Sequence, residues 1–381
     1  MPSSASNTVT EMPRFLSEYA THAPAIPAPM TATFETLSIP GTRIMLDDSD
    51  AGNGCTHPLA FPVPIRSFVD MDFDLTQKKI FVAGHNGLVG SAVVRRLTDE
   101  DCTVLTADRT ALDLRRQSDT ETWFAANMPD AVIVCAAHVG GIRANSTYPA
   151  TFLYDNAQIA LNVIESARQS GVEKLLYLSA ACTYPRLADQ PIPEEALMTG
   201  PLEPTNEWYA LAKIVGMKMC QAYRQQHGCN FISAQPASVY GPGDNFDPEE
   251  GHVVAGMLTK FHNAVANNDP SVPLWGTGTP IREFMYIDDL ADALIYLLKE
   301  YRDPVPINVG MGEGTTIKAL AEAVAGVTGF TGTLEWDTSR PDGMPKRMLD
   351  SSRLLSLGWA PTVSLEQGLR RTYQWYLEAE A

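Results

Sequence analysis

Tyr209 and Lys213 lie four residues apart in a stretch with helical spacing, which places a phenol and an ammonium on one face. The ammonium favours the phenolate, so the phenol shares its proton more readily. A phenol tuned in this way can hand a proton to a carbonyl oxygen while a nicotinamide delivers hydride to the carbon. Y-x-x-x-K recurs by chance, and an exposed helical pair is the plain alternative. What separates the two is the glycine-rich turn upstream, Gly84-His85-Asn86-Gly87-Leu88-Val89-Gly90. A strand, Lys79 to Ala83, feeds this turn, and Ser91 to Leu97 leaves it with helical spacing. Glycines there let the backbone curl towards a pyrophosphate, and a helix N-terminus offers N–H groups and partial positive charge.

The elements that must position these groups follow in alternation. Strands are expected at Thr103 to Ala107, Ala131 to Cys135, Lys174 to Ser179 and Asn230 to Gln235. Long amphipathic helices are expected at Phe152 to Ser170 and Asn206 to His227. Strands alternating with long helices specify an α/β fold with a doubly wound parallel sheet, Rossmann-like, with ligands bound beyond the carboxyl ends of the strands. Gly84, Ala136, Ser179 and Pro236 fall at those ends. After Gly241-Pro242-Gly243 the regularity breaks into shorter elements. The expected organisation is therefore an N-terminal extension (1–77), a dinucleotide-binding domain (78–240), and a smaller C-terminal lobe (241–381). That last region is mainly substrate-binding, with some elements returning to the first domain. The extension is rich in Ser, Thr, Ala and Pro and is expected to be partly disordered; Glu11, Glu18 and scarce Arg argue against a targeting peptide.

Composition narrows the class. The 381 residues are 45% hydrophobic, enough for a substantial core, and carry 45 acidic against 28 basic side chains, a net charge of -17. Nucleic-acid and anionic-membrane surfaces require clustered Lys and Arg, so neither partner is expected. An anionic ligand must instead be held locally, by helix ends and a few cations. The six cysteines (Cys55, Cys102, Cys135, Cys182, Cys220, Cys229) form no CxxC pair and no zinc spacing. Reduced thiols of a cytoplasmic protein without a metal centre are the simplest reading. No apolar run is long enough for a membrane span.

Further motifs carry a resemblance. Val139-Gly140-Gly141-Ile142-Arg143-Ala144-Asn145, Cys182-Thr183-Tyr184-Pro185, Glu203-Pro204-Thr205-Asn206-Glu207 and Tyr240-Gly241-Pro242-Gly243-Asp244-Asn245-Phe246 are four of them. Trp275-Gly276-Thr277-Gly278-Thr279-Pro280, Arg282-Glu283-Phe284 and Pro341-Asp342-Gly343 complete the set. With the G-x-x-G-x-x-G turn, they make the chain from about Lys79 to Leu377 resemble the extended short-chain dehydrogenase/reductases. Within them it resembles the GDP-L-fucose synthase family, epimerase-reductases of GDP-4-keto-6-deoxymannose.

The resemblance implies a cytoplasmic homodimer built through the two long helices and acting on a GDP-linked sugar. It implies Tyr209 as proton donor to the C4 oxygen, and Lys213 as holder of the nicotinamide ribose. Cys182 and His252 would be the acid/base pair inverting C3 and C5; thiol and imidazole both titrate close enough to neutrality for that work. Cofactor contacts would come from Gly84 to Gly90, Asp108, Arg109, Ser179, Ala180, Lys213, Pro236, Val239 and His252. Substrate contacts would come from Lys260, Trp275, Arg282 and Asp342. For Cys182, His252 and Trp275 the plain alternatives are a small buried hydrophobe, a surface histidine and core packing.

The chain also departs from the family. Ala180 stands where a serine would bond the C4 oxygen, a donor worth on the order of 3 kcal/mol in rate when well placed. Ser179 is adjacent, but neighbouring side chains at a strand end point to opposite faces, so it is a poor substitute. Another hydroxyl such as Thr183, a bias towards epimerisation, or another nucleotide sugar (a heptose or dideoxy sugar) would each account for the change. A non-catalytic nucleotide-binding protein is the reading from a different class. Of two arginines that would take a 2′-phosphate, Ala107 replaces the first and Arg109 keeps the second. Arg109 argues for NADP(H), Asp108 for NAD(H), and the resemblance favours NADP(H). Lys260 replaces an arginine, and Ala237-Ser238 replaces Thr-Asn after Pro236.

Overall fold

The computed structural model describes residues 72–248, 251–340 and 342–380. The expected disorder of 1–77 therefore falls mostly outside the described residues. Asp72 to Gln77 are described, and part of them belongs to the core: Leu75 is buried, and the Phe73 N–H donates to Lys299 O at 3.0 Å.

The first half runs β1 (Lys79–Ala83), α1 (Leu88–Leu97), β2 (Thr103–Leu105), α2 (Gln117–Asn127), β3 (Ala131–Val134), α3 (Ile142–Thr147) and α4 (Pro149–Gln169). It continues through β4 (Lys174–Leu178), α5 (Glu207–His227), β5 (Asn230–Pro236) and β6 (Ser238–Tyr240). Then follow α6 (Val253–Asn267), β7 (Ser271–Trp275), β8 (Ile281–Arg282), β9 (Phe284–Tyr286), α7 (Ile287–Glu300), β10 (Ile307–Val309), β11 (Thr315–Thr316) and α8 (Ile317–Thr328). The chain closes with β12 (Thr333–Asp337), β13 (Lys346–Arg347), α9 (Ser352–Ser356) and α10 (Leu365–Glu380).

Six strands form one sheet in the order β10-β5-β4-β3-β1-β2, every neighbouring pair parallel. Both faces are covered, which is why these strands read as unbroken apolar runs. Ile80, Val82, Ile133, Leu176 and Ile232 face the side packed by α1 and α7. Phe81, Val132, Leu175, Tyr177 and Phe231 face the side packed by α4 and α5. The chain steps from β1 outward to β2 and then back to β3 on the other flank, so the strand order reverses beside Gly84 and Ala136, where a crevice opens.

The expected elements are present with shifted ends. β2 stops at Leu105 because its register with β1 ends at the Phe81–Leu105 pair, leaving Ala107 on the crevice wall. α4 begins earlier, with Pro149 in its first turn, where a missing N–H costs nothing. Asn206 is the residue before α5 rather than its first helical residue. α2 was not foreseen; its sequence QSDTETWFAAN lacks an apolar stripe, and its place is set by buried Thr120 and Phe124. After residue 240, α7 and β10 return to the large sheet. The remaining elements build the outer wall, including the parallel pairs β7–β12 and β6–β9 and the small sheet β11-β8-β13.

Candidate active site

Gly84 has φ +86, and a Cβ there would lie 2.7 Å from the Ala136 backbone; one at Gly90 would lie 2.1 Å from Gly84 O. Only glycines allow β1, β3 and the start of α1 to approach this closely. α1 has neither a side-chain cap nor an acidic residue in its first turn, so its N–H groups face the crevice as an anion site. This backbone cradle fits a dinucleotide pyrophosphate. A cavity of about 720 Å³ spreads from it across the carboxyl ends of the strands. Gly84, Gly87, Leu88, Val89, Gly90, Arg109, Ser179, Ala180, Cys182, Tyr209, Lys213, Pro236, Val239 and His252 all line it. Three expected cofactor residues, His85, Asn86 and Asp108, do not. Asn86 Nδ2 donates to Asp108 Oδ1 at 2.7 Å, and His85 Nε2 lies 3.3 Å from the same oxygen. The Asp108 carboxylate is thus engaged by the glycine turn, while Arg109 lines the cavity.

Tyr209 and Lys213 descend from α5 into this cavity. The Lys213 ammonium donates to Leu178 O at 2.9 Å and lies 5.0 Å from the Tyr177 ring centroid and 5.8 Å from that of Tyr209. Burial pushes Lys213 down to about 8 and raises the Tyr209 phenol above its usual range. This corrects the expectation that the ammonium makes the phenol more acidic. Desolvation dominates over a charge spent on a backbone carbonyl, and Tyr209 stays a protonated donor.

Cys182 sits in the single helical turn Ala181–Thr183 just beyond β4. Burial raises its thiol, while Arg347 and then Lys213 pull it partly back. His252 precedes α6, and its Nδ1 lies 2.8 Å from Oδ1 of Asp244, whose side chain is 2% exposed. That contact raises the imidazole pKa, and it ties the ring through Nδ1, leaving Nε2 for other work.

The four expected substrate residues lie outside the cavity lining. Trp275 is 50% exposed, which removes core packing as its role. The Lys260 ammonium lies 5.7 Å and the Arg340 guanidinium 5.0 Å from the Trp275 ring centroid. Asp342 accepts from the Thr277 N–H at 2.7 Å and the Thr277 hydroxyl at 2.8 Å, shaping the loop after β7. Arg347 was not foreseen, because a two-residue strand carries no periodic signal. The β8–β13 register pairs it with Arg282, and it reaches the cavity lining. Burial first and Arg347 second lower Arg282 to about 10, as expected for two like charges on one strand pair. Glu283, 2% exposed, accepts from the N–H groups of Met311, Gly312 and Leu349 and ties β8 and β9 to the loops behind them. Among the described residues, no group of three or more His, Cys, Asp or Glu is arranged to hold a metal ion.

Residues 80–310 match the family model described as the NAD dependent epimerase/dehydratase family. A protein of Arabidopsis thaliana, "Putative GDP-L-fucose synthase 2", is 56% identical over 79% of this chain and 92% of its own length. The chain belongs to the NAD dependent epimerase/dehydratase family. The "GDP-L-fucose synthase" of Escherichia coli K12 is 45% identical over 80% of this chain and 98% of its own. Among solved structures, a GDP-L-fucose synthetase from Naegleria fowleri bound to NADP superposes with a TM-score of 0.77. It is 29% identical, over 82% of this chain and 98% of that one.

In this member of the family Ala180 lines the cavity and Thr183 does not. Thr183 is fully buried, with its Oγ1 2.8 Å from Ala180 O and 2.6 Å from Gln235 Oε1. It heads a buried chain in which Gln235 Nε2 donates to the Tyr184 hydroxyl, and that hydroxyl donates to Asn308 Oδ1 at 2.6 Å. Thr183 therefore faces the sheet, not the crevice.

One consequence concerns Asp244. Its carboxylate raises the His252 pKa, so Asp244→Asn lowers it, and any limb of the pH profile of kcat/KM that His252 carries moves to lower pH. The stability the pair adds is complete below about 6.5, the unfolded value, and is lost as pH rises through the folded one. The wild type therefore exceeds the variant in denaturation midpoint chiefly at mildly acidic pH. Titration of activity and urea midpoints from pH 5 to 9 checks both.

Proposed function

We propose that this chain is a GDP-L-fucose synthase, catalysing C3/C5 epimerisation of GDP-4-keto-6-deoxymannose followed by reduction at C4. The observation that carries the reading is one cavity lined at once by the glycine turn, Tyr209, Lys213, Cys182 and His252. The C4 ketone acidifies the hydrogens on C3 and C5. Cys182 and His252 then exchange protons there, and Tyr209 gives its phenolic proton to the C4 oxygen. Bound NADPH supplies the hydride to C4. Lys213, buried beside Tyr209, holds the nicotinamide ribose. Arg282, Lys260, Trp275 and Asp342 take the GDP portion, and Arg347 adds a second cation beside Arg282.

In this reading the cofactor lies over residues 78–240 and the sugar nucleotide mainly against 241–381. Two copies pair through α4 and α5, whose Tyr154, Leu161, Trp208 and Val215 are solvent-exposed in the single chain. No described helix is long and apolar enough to cross a membrane, and the reading places the enzyme in the cytoplasm. In heavy water with NADPH, GDP-4-keto-6-deoxymannose is expected to oxidise the cofactor and gain deuterium at C3 and C5. Absence of both would refute the assignment. Ala180 favours one competitor, an epimerase or reductase of another nucleotide sugar such as a heptose. A reductase of that kind would oxidise NADPH only with its own keto sugar, and an epimerase would exchange ring protons without oxidising it.

Arg109 on the cavity wall, with Asp108 held by Asn86, supports a 2′-phosphate and hence NADP(H). Arg109→Ala is expected to raise KM for NADPH by about tenfold to a hundredfold, the worth of one charge-assisted contact, with KM for NADH nearly unchanged. Steady-state kinetics with each cofactor measures this.

A further inference from the structure

The loop between β2 and α2 (106–116) brings a second arginine to the cavity lining besides Arg109, and the mechanism makes no use of it. This is Arg115, and carboxylates engage all three nitrogens of its guanidinium. Nε and Nη2 donate to the two oxygens of Asp113 at 2.9 and 2.7 Å, and Nη1 donates to Oδ2 of Asp155, on α4, at 3.3 Å. Asp113 and Asp155 line the cavity as well, so two negative charges face the space that an anionic dinucleotide would fill. The Arg115 fork holds the Asp113 carboxyl down to about 2, which leaves it ionised at neutral pH. Arg116 also approaches Asp113, at 4.0 Å, but it is 72% exposed and water screens it. The Asp155 side chain is only 9% exposed, and a charge so enclosed is screened far less.

The same helix holds both walls of the crevice. His138 Nδ1 lies 3.1 Å from Asp155 Oδ2, and Asn156 binds the His138 N–H and carbonyl at 2.8 and 3.0 Å. On the other wall, Asn162 Nδ2 donates to Leu114 O at 2.9 Å, and the Leu112 side chain is buried. Loop 106–116 therefore keeps two anchors that do not involve Arg115. What Arg115 alone supplies is positive charge, in a chain whose net charge is -17.

We propose that Arg115 is a positioning residue that sets cofactor affinity through Asp113 and Asp155, cancelling the field that would repel the 2′-phosphoadenosine end of NADPH. It is not itself a ligand of the phosphate, a part left to Arg109. The inference rests on the reading that this cavity takes NADPH.

The test titrates NADPH, and separately adenosine 2′,5′-bisphosphate, into the full chain by calorimetry, with thermal midpoints recorded alongside. Wild type is compared with Arg115→Gln, Arg115→Lys and the double variant Arg115→Gln/Asp155→Asn. Arg115→Gln is expected to weaken both ligands about tenfold or more in about 50 mM salt, and much less in about 500 mM. Arg115→Lys keeps the charge without the fork and should lose about threefold at most. The double variant has the same charge sum as the wild type and should recover most of the affinity, although the Arg115–Asp155 contact is gone. A structural brace or a phosphate ligand would show no such recovery. Arg115→Gln binding within about twofold of the wild type, a loss insensitive to salt, or a double variant as weak as the single would each overturn the inference alone. So would an Arg115→Gln chain without a cooperative thermal transition, which would make the residue a brace. A wild type that binds neither ligand would overturn it together with the NADPH reading.

Discussion

Tyr209→Phe is expected to lower the rate of C4 reduction by about 10²–10⁴, the usual worth of a positioned proton donor. The change removes one oxygen from a buried ring that rests edge-on against Phe152, so packing survives. Because burial keeps the phenol protonated, Tyr209 is in the donor form across the whole neutral range. The loss should therefore be nearly independent of pH, unlike the effect of touching the His252 pair. Deuterium should still enter the sugar ring, since the proposed exchange uses Cys182 and His252. Stopped-flow oxidation of NADPH, with mass spectrometry of the sugar nucleotide in heavy water, separates the two steps. Equal loss of both would count against the assignment of Tyr209 to C4.

Cys182→Ser should act on the other half of the reaction. A serine hydroxyl fills nearly the same space in the turn beyond β4 but holds its proton far more tightly than a thiol. Burial already raises the thiol, and Arg347, Lys213 and a backbone hydrogen bond offset that rise only in part. Little reserve remains for a less acidic group. Deuterium incorporation at one ring carbon should fall by about 10²–10⁴, while exchange at the carbon served by His252 continues. Position-resolved NMR of the recovered nucleotide sugar measures this. Undiminished exchange at both carbons would exclude Cys182 as a proton carrier.

Much of the nucleotide half could be read from residue order, and the reasons are local. β1, β3 and β4 are short apolar runs buried on both faces, and the turn after β1 tolerates only glycine where Gly84 meets Ala136. Such constraints act over a few residues and leave a pattern. α2 left none, because tertiary contacts rather than periodicity hold it. Arg347 left none either, since its importance comes from the β8–β13 register, which joins positions 65 residues apart. The state of Lys213 was misjudged for a similar reason: four-residue spacing shows that it shares a face with Tyr209, but not that its ammonium donates to Leu178 O. Thr183 turns away from the crevice on a hydrogen-bonded chain reaching to Asn308, which is not visible in a linear motif.

The return of α7 and β10 to the large sheet bears on how this molecule can be divided. A fragment ending at Tyr240 would leave β5 with a bare edge and uncover the apolar face that α7 blankets, an invitation to intermolecular strand pairing. The half that carries the glycine turn thus borrows its own closure from sequence beyond Tyr240. Neither half is a cassette that could be exchanged between relatives by a single crossover, and new sugar preferences in such a chain must arise by changing side chains in place.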